Sequence, residues 1–324
     1  MNNTNNALAT ALQSAGATND WPYKLVVHQH PDTDAILCLW AVQRFALPKG
    51  ADYQIVFVNA GDGLSEAEKI GYNVIEMDTG RGELDQHGRH LKRGSSFKLV
   101  CQKYGISHDP ALTPLIELAD ATDNVEKISL TDVHYLFKGR RSKCKTEDHW
   151  GAFVYLAFND LDTLYDQYSA WARADREFGK NGDIKTLGNG IKISFILGRP
   201  NLRDAAYRAG ADVVVWSESR PGDKYHIGIQ TSRDSTVSLR SLARSIRIAE
   251  AQMRGIDIAG LDLGASDVPK IPGWRLHESG NLLTCGTKGH PLEGDQFSKL
   301  SAGVIRQTVE RTLGNTKVRP AAKK

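Results

Sequence analysis

The first third of the chain alternates short apolar runs with stretches of helical spacing. Residues 23–29 form an apolar run of strand length, and residues 33–47 are apolar almost all round, as in a buried helix. Residues 53–61 predict a second strand, residues 65–71 a short helix and residues 73–78 a third strand. This alternation with short connections indicates an α/β fold whose doubly wound sheet is mostly parallel.

Two further helices are predicted before the pattern changes, at residues 95–104 and 109–123, the second with Pro110 in its first turn. The sequence is then rich in helical spacing up to Phe178, and residues 179–190 are dense in Gly and Asn, as in a linker. The remainder predicts a second, α+β domain. Its predicted elements are strands at 191–197, 212–219 and 224–230, a hairpin turn at 220–223, and helices at 238–253 and 295–313.

The domain organisation follows from these elements. We expect a loose lead-in at 1–20 (with one weak helix near 7–13), a first domain at 21–178, a linker at 179–190, a second domain at 191–315 and a basic tail at 316–324. The apolar positions of residues 297–313 suit either packing within the second domain or a homodimer contact.

Composition excludes several classes of protein. The 324 residues are 40% hydrophobic and 24% charged, which is typical of a globular protein and unlike collagen or a disordered chain. No apolar run approaches the ~18 residues of a membrane span, so no membrane partner is expected. Four scattered cysteines without a C-x-x-C pair favour a reducing compartment, and no basic residue precedes Lys24 as a targeting segment would require. We therefore expect a cytoplasmic protein.

The net charge of +3 is too small to indicate a nucleic-acid partner, but the charge is unevenly distributed. Lys138, Arg140, Arg141, Lys143 and Lys145 form one dense basic run. Such a run is either a solvated surface or a rim that faces an anion. The aromatic residues just before it, at positions 135 and 137, suit either base stacking or burial.

The densest group of metal-binding residue types lies where the first strand meets its helix. His28, His30, Asp32 and Asp34 alternate along an extended segment, so their side chains can share one face. Open α/β sheets place their sites at this edge, and carboxylate and imidazole groups suit a divalent cation. A single aspartate here would be an ordinary helix cap, but four such residues in seven positions predict a metal site.

Further residues of the same types follow at corresponding places. Asp78 ends the third strand, and a neighbouring parallel strand would bring it beside the first group. Asp85 and His87 flank Gln86 in the polar stretch that comes next. A pair of carboxylates, at 120 and 123, closes an otherwise apolar helix, where a surface role and a site role are equally open.

In this order the residues resemble the four motifs of the DHH phosphoesterase superfamily. The matching positions are His28, Asp32 and Asp34 for the first motif, Asp78 for the second, Asp85-Gln86-His87 for the third and Asp120 for the fourth. Within the superfamily the sequence is most similar to the Myg-type branch of DHH-like RNA exonucleases. That likeness is carried by Asp78-Thr79-Gly80, by Ser95-Ser96 with Leu99-Val100, and by Asp120-Ala121-x-Asp123-Asn124, and it covers about residues 24–125.

The resemblance implies a metal-dependent phosphodiesterase that hydrolyses RNA or short oligonucleotides, in the manner of a 3′–5′ exonuclease. It implies two divalent cations, Mn²⁺ or Mg²⁺, that activate a water, with Asp78 bridging them. The implied ligands are His28, Asp32, Asp34, Asp78 and Asp120, and the implied catalytic residues are Asp78, Asp85 and His87. A small dinucleotide or cyclic nucleotide is the alternative substrate, and pyrophosphate ranks third.

Candidate substrate-binding residues come from the neighbourhood of the motifs and from the second domain. Four candidates follow the third motif, namely Arg89, His90, Ser95 and Ser96. The serines lie at a predicted helix N-terminus, which can hold a phosphate. A surface role for Arg89 and a helix-cap role for the serines are the alternatives. Trp274–Gly280 and Gly286–Pro291 faintly resemble late elements of the superfamily, which would close the cleft opposite the metals. His277 and His290 are therefore substrate-binding candidates, against ordinary surface histidines.

One position departs from the superfamily pattern. The third motif of the superfamily has two adjacent histidines, and the resemblance implies that the first of them is a metal ligand. This chain has Gln86 in place of that first histidine. A neutral amide is a weaker ligand, so the second cation site is expected to be altered, or His90 to replace the missing ligand. A protein that binds a nucleotide or RNA through a degenerate site is thus a further alternative. Nucleotide-binding glycine motifs and a G-x-S-x-G elbow do not occur in the sequence.

Overall fold

The computed structural model describes residues 21–88, 94–129, 131–221, 224–287 and 289–316. They divide into two compact units on either side of the Ala172–Arg173 bond. The predicted lead-in at 1–20 with its weak helix, and the tail beyond Thr316, lie outside the described residues.

The first unit contains a parallel sheet of three strands. They are β1 (Tyr23–His28), β2 (Tyr53–Val58) and β3 (Asn73–Glu76), in the order β2-β1-β3. His28 lies opposite Val58, and Val26 lies opposite Glu76, so the three carboxyl ends reach the same edge. The predicted α/β fold with a parallel sheet is confirmed.

Helices α1 to α5 belong to this unit, and helix α6 begins in it and ends in the second unit. They are α1 (Thr33–Ala41, continued by a π-helical turn at Val42–Ala46), α2 (Glu66–Lys69), α3 (Ser96–Lys103), α4 (Thr113–Asp123), α5 (Val133–Arg141) and α6 (Glu147–Asn181). Every residue of α1 is buried, as its all-round apolar sequence requires. The predicted start of α4 at Asp109 was wrong, because the Asp109 side chain accepts the Ala111 N–H in a turn and the helix begins with Pro114 in its first turn.

The second unit contains a mixed sheet of six strands. They are β4 (Ile184–Thr186), β5 (Lys192–Leu197), β6 (Val213–Arg220), β7 (Lys224–Thr231), β8 (Trp274–Leu276) and β9 (Leu282–Cys285). Their order is β4-β5-β6-β7-β9-β8, and only β5 and β6 pair in parallel. The predicted strands β5, β6 and β7 are confirmed. The short strands β4, β8 and β9 were not predicted, since three or four residues carry too little periodicity.

Helices α7 (Arg203–Arg208), α8 (Arg240–Arg254) and α9 (Ala302–Gly314) belong to this unit. The helix predicted from Asp295 begins only at Ala302, because the Ser301 side chain caps it by accepting the Val304 N–H. Ile305 and Val309 of α9 are buried in the core of their own unit. Gly179–Gly190, the predicted linker, contains the end of α6 and strand β4.

Within the described part of the chain, no helix is both long and apolar enough to cross a membrane.

Candidate metal centre

A pocket of about 310 Å³ opens at the carboxyl edge of the parallel sheet. Its walls come from the segments that follow β1, β2 and β3 and from the end of α4. The lining residues are His28, Asp32, Ala60, Gly61, Asp78, Arg81, Asp85, Gln86, His87 and Asp123. The structure therefore brings together six of the acidic and imidazole side chains that the sequence singled out, namely His28, Asp32, Asp78, Asp85, His87 and Asp123.

His28, Asp32 and Asp78 form the first group of possible ligands, with one atom of each within 4.8 Å of the others. The Nδ1 of His28 lies 2.7 Å from the Gln29 carbonyl, which leaves Nε2 facing the carboxylates. Nε2 is 3.2 Å from Oδ2 of Asp78 and 4.0 Å from Oδ1 of Asp32. A backbone contact that orients the ring in this way is typical of ligand histidines.

Asp32 has two roles in this arrangement. Its Oδ1 accepts the N–H groups of Asp34 and Ala35 and so caps α1, at 3.0 and 3.1 Å. The cap uses one carboxylate oxygen, and the side chain still lines the pocket. The helix-cap reading and the metal-ligand reading of the sequence are thus compatible.

Asp78, Asp85 and His87 form the second group, again with one atom of each within 4.8 Å of the others. Asp85 is buried, and it accepts the backbone N–H of Arg81 at 2.8 Å and that of His87 at 2.9 Å. His87 is exposed at the pocket. Asp78 belongs to both groups, which is the position that a bridging carboxylate needs.

The backbone at the centre of the pocket is strained. Asp78 has a φ of 53°, in the left-handed region that non-glycine residues seldom adopt. His30 has a φ of 54°, but its ring packs edge-on against Trp150 at 4.5 Å, away from the two ligand groups. Strain of this kind is tolerated where the surrounding structure requires one side-chain direction, as at binding sites.

The charges in the pocket are not balanced. Burial raises the pKa of Asp78, and the nearby charge of Asp32 adds to this while contacts with His28 oppose it. Burial, followed by the negative charges of Asp78 and Asp32, raises the pKa of Asp123 to about 7. For His28 burial lowers the pKa, but its contact with Asp78 and the other acceptors outweighs burial and raises the pKa to about 9. The site therefore attracts positive charge.

Asp34, a predicted ligand, lies beneath the pocket. It is almost fully buried, and its two oxygens accept the N–H groups of Ser96 and Phe97 at 2.7 and 2.9 Å. Burial, followed by the charge of Asp78, raises its pKa well above the usual range. The structure thus uses both oxygens of Asp34 to hold the N-terminus of α3 against α1.

Of the two carboxylates at the end of α4, the structure brings Asp123 and not Asp120 to the pocket. Asp120, a predicted ligand, accepts the Ser95 hydroxyl at 2.7 Å and pairs with Lys98 at 3.1 Å. Asp123 accepts a hydrogen bond from the Gln86 amide at 3.1 Å. The sequence feature that indicated Asp123 is its position one helical turn beyond Asp120, on the same face of the helix.

Gln86 lies in a hydrogen-bond network between the two sides of the pocket. Its Oε1 accepts the Ser96 hydroxyl in a short contact, and its Nε2 lies 3.0 Å from His87 Nε2. With the bond to Asp123, every polar atom of this amide has a partner. Gln86 is therefore a structural member of the site.

The remaining candidate substrate residues differ in their surroundings. Ser95 and Ser96 are buried at the start of α3, where Asp34 and the Ser95 hydroxyl already accept the N–H groups of Ser96, Phe97 and Lys98. Arg89 and His90 lie outside the described residues. His277 and His290 are exposed residues of the second unit, the first in the turn between β8 and β9, with its Nδ1 2.7 Å from the Ser279 hydroxyl.

Arg81 was missed by the sequence reasoning. It lines the pocket with an exposed side chain, and its φ of 52° places it in the tight turn that follows Asp78. The sequence signal was the D-T-G-R order, in which a cation follows the second motif directly. A cation here can contact an anion that reaches the acidic groups.

The donor set fits divalent cations. Each ligand group combines one imidazole nitrogen with two carboxylates. This mixture of nitrogen and oxygen ligands suits Mn²⁺, and the carboxylate oxygens also suit Mg²⁺. The unbalanced carboxylates of the pocket are the charges that such cations neutralise.

Comparison with protein-family models and with curated proteins finds no match. Solved structures give distant likenesses. A DHH-domain protein described as a member of the s1p family of ribosomal proteins is 11% identical with a TM-score of 0.33, over 98% of this chain and 93% of that one. CDC45 from Entamoeba histolytica is 10% identical with a TM-score of 0.30, over 95% and 98% of the two chains.

RecJ from Thermus thermophilus, in complex with Mg²⁺, is 12% identical with a TM-score of 0.28, over 94% of this chain and 52% of RecJ. Scores this low carry no argument about function, so the functional conclusion depends on the pocket itself.

Proposed function

We propose that this protein is a metal-dependent phosphodiesterase that hydrolyses RNA or short oligonucleotides. The proposal depends mainly on the position of Asp78 at the carboxyl edge of the parallel sheet. Asp78 belongs to both groups of possible ligands, one with His28 and Asp32 and the other with Asp85 and His87. The motif order along the chain, which resembles that of DHH phosphoesterases, supports the same reaction class.

His28 and Asp32 would hold one cation, Asp85 and His87 the other, and Asp78 would contact both. Two bound cations would supply Lewis acidity toward the phosphate and a nucleophilic water at neutral pH. This assignment replaces Asp34 and Asp120 of the sequence-based ligand set, because neither side chain lines the pocket or belongs to the two ligand groups.

The chain's own residues would orient the substrate. Arg81 is placed to pair with non-bridging phosphate oxygens, where a cation stabilises the charge that develops during the attack. Asp123 lines the pocket and accepts a hydrogen bond from the Gln86 amide, which in turn contacts His87. Ser96 and Gln86 keep Asp78 and His87 in position.

The experiment is hydrolysis of bis-p-nitrophenyl phosphate, a short RNA, a dinucleotide and pyrophosphate, each with Mn²⁺, Mg²⁺ or EDTA, together with the metal content of the protein. We expect release from RNA and from the small diester with Mn²⁺, and none with EDTA. Turnover that persists in EDTA, or turnover of pyrophosphate alone, would contradict the proposal. The dinucleotide arm separates the small-nucleotide alternative.

A second candidate function is supported by Gln86. Because its amide already contacts Ser96, Asp123 and His87, the second cation group lacks one ligand of the superfamily pattern. A protein that binds RNA or a nucleotide at a single cation, without cutting it, would have this site. Bound metal and measurable RNA affinity, with no release from any substrate, would select this function.

A further inference from the structure

Helix α5 carries three basic side chains on one face, beside the pocket. His134, Lys138 and Arg141 follow one another at intervals of four and three residues, so they lie in a row on the helix surface. Together with Asp32 and Thr33 they line a narrow cleft next to the first ligand group. We refer to these three residues as the α5 face.

The α5 face is fixed to the segment that carries the first ligands. His134 Nδ1 lies 2.9 Å from the Thr33 hydroxyl, and Arg141 donates to the His30 carbonyl at 3.4 Å. Phe137, which lines the same cleft, is buried in the core. The row of basic groups is therefore held beside Asp32 by packing as well as by hydrogen bonds.

The positive charges of Lys138 and Arg141 are not neutralised by a carboxylate among the described residues. Among the described residues neither Lys138 nor Arg141 forms an ion pair, whereas Arg140, on the opposite side of α5, pairs with Asp160. Lys138 is exposed, and Arg141 is partly exposed. Lysine and arginine do not assist the binding of a metal cation at Asp32, because like charges repel. They suit an anion that approaches the metal centre from this side.

We propose that the α5 face binds a second phosphate of an oligonucleotide, the neighbour of the phosphate that is hydrolysed. The inference rests on the proposed function and adds a source of preference for substrates with more than one phosphate. Lys138 would act as a point charge and Arg141 as a planar donor toward that phosphate. Tyr135, which is 37% exposed and lies 5.2 Å from the His134 ring, borders the same surface.

The test compares two substrates with Mn²⁺, the dinucleoside monophosphate ApA, which has one phosphate, and a hexaadenylate. The variant is Lys138→Ala combined with Arg141→Ala. The matched control is Lys143→Ala combined with Lys145→Ala, which removes the same charge from exposed positions beyond the helix. Thermal unfolding of each variant checks that it is folded.

We expect KM for the hexamer to rise roughly tenfold in the α5 variant, while kcat/KM for ApA changes less than about twofold. The slope of log KM for the hexamer against log salt should fall by about one, and the control should keep the wild-type slope. Binding of a labelled hexamer in EDTA, measured by anisotropy, should weaken in the same variant without any catalysis.

Other outcomes overturn the inference. An equal loss in the control variant would indicate a diffuse charge effect, and an unchanged KM would show that this face does not contact the substrate. An equal loss for ApA would place the two residues at the reacting phosphate instead. If wild-type protein hydrolyses neither substrate, the proposed function itself fails, so the two failures are distinguishable.

Discussion

Glu250 in the mixed-sheet unit and Asp78 in the parallel-sheet unit are both buried carboxylates, but their surroundings differ. Glu250 is fully buried and accepts hydrogen bonds from Arg254, Trp274, Ser298 and the Lys299 backbone. Its negative charge is matched by a guanidinium 2.7 Å away.

Arg247 in the same unit is balanced in a similar way. It is fully buried, and its two terminal nitrogens donate to four backbone carbonyls, those of Leu263, Ala265, Ser266 and Trp274. Its Nε has no hydrogen-bond partner among the described residues. A buried charge whose other donors are bonded to backbone carbonyls in this way is a structural feature, because it holds loops against the sheet.

The pocket of the parallel-sheet unit has the opposite balance. The charge of Asp78 raises the pKa values of Asp34 and Asp123, the charge of Asp32 raises that of Asp78, and the imidazole of His28 is the main positive group among them. Such an arrangement costs stability in the metal-free protein. Burial alone therefore does not distinguish a binding site from a structural charge, whereas a buried cluster of like charges does.

The largest expected effect comes from Asp78→Asn. It should lower hydrolysis with Mn²⁺ roughly a thousandfold or more, because both ligand groups lose their shared carboxylate. The metal-free variant should be as stable as wild type or more so, since a repelled charge is removed, and Mn²⁺ should no longer raise its Tm. Asp148→Asn, an exposed carboxylate at the start of α6, is the control. A Tm loss without an activity loss would reverse the assignment.

Glu250→Ala should give the reverse pattern. It leaves Arg254 and Trp274 Nε1 without their buried partner, so the free energy of unfolding should fall by about 3–5 kcal/mol. Denaturant unfolding measures this loss. The Tm gain on adding Mn²⁺ should be retained, and its disappearance would show that Glu250 belongs to the site.

The metal-free protein should lose stability as pH rises. The pKa of Asp123 is raised from 3.8 to about 7 and that of His28 from 6.5 to about 9, so in both cases the folded state retains a proton that the unfolded chain releases. The Tm in EDTA should therefore fall by a few degrees, ~2–4 °C for each kcal/mol lost, between about pH 5 and pH 9. The Tm gain with Mn²⁺ should grow over the same range. A flat EDTA profile would contradict the charge imbalance.

The smallest effect expected is that of Gln86→His, which introduces a ligand-type residue beside Asp123 and His87. It should raise Mn²⁺ affinity at the second group by about tenfold, measured by calorimetry. Gln86→Leu removes the polar atoms at similar volume and is the control. Equal affinity in the histidine variant and wild type would show that the amide already serves as well as an imidazole does.

The sequence-based prediction succeeded where the signal was local. Residues 23–28, 53–58 and 73–76 are recognisable as strands because each is a short apolar run, and the ligand types at their ends follow directly. The starts of α4 and α9 were missed because a side-chain cap at Asp109 or Ser301 competes with helical spacing. Strands β4, β8 and β9 are stabilised mainly by their neighbours in the sheet.

By itself the sequence determined which residue types would gather at the carboxyl edge of the sheet, because strand order and periodicity are encoded locally. Only the tertiary structure decided which of them face the pocket. Asp34 turns into the N-terminus of α3, and Asp123 replaces Asp120, because the rotation of α4 is set by its packing on α1 and α3. The direction of a side chain depends on contacts between distant elements, which no local pattern contains.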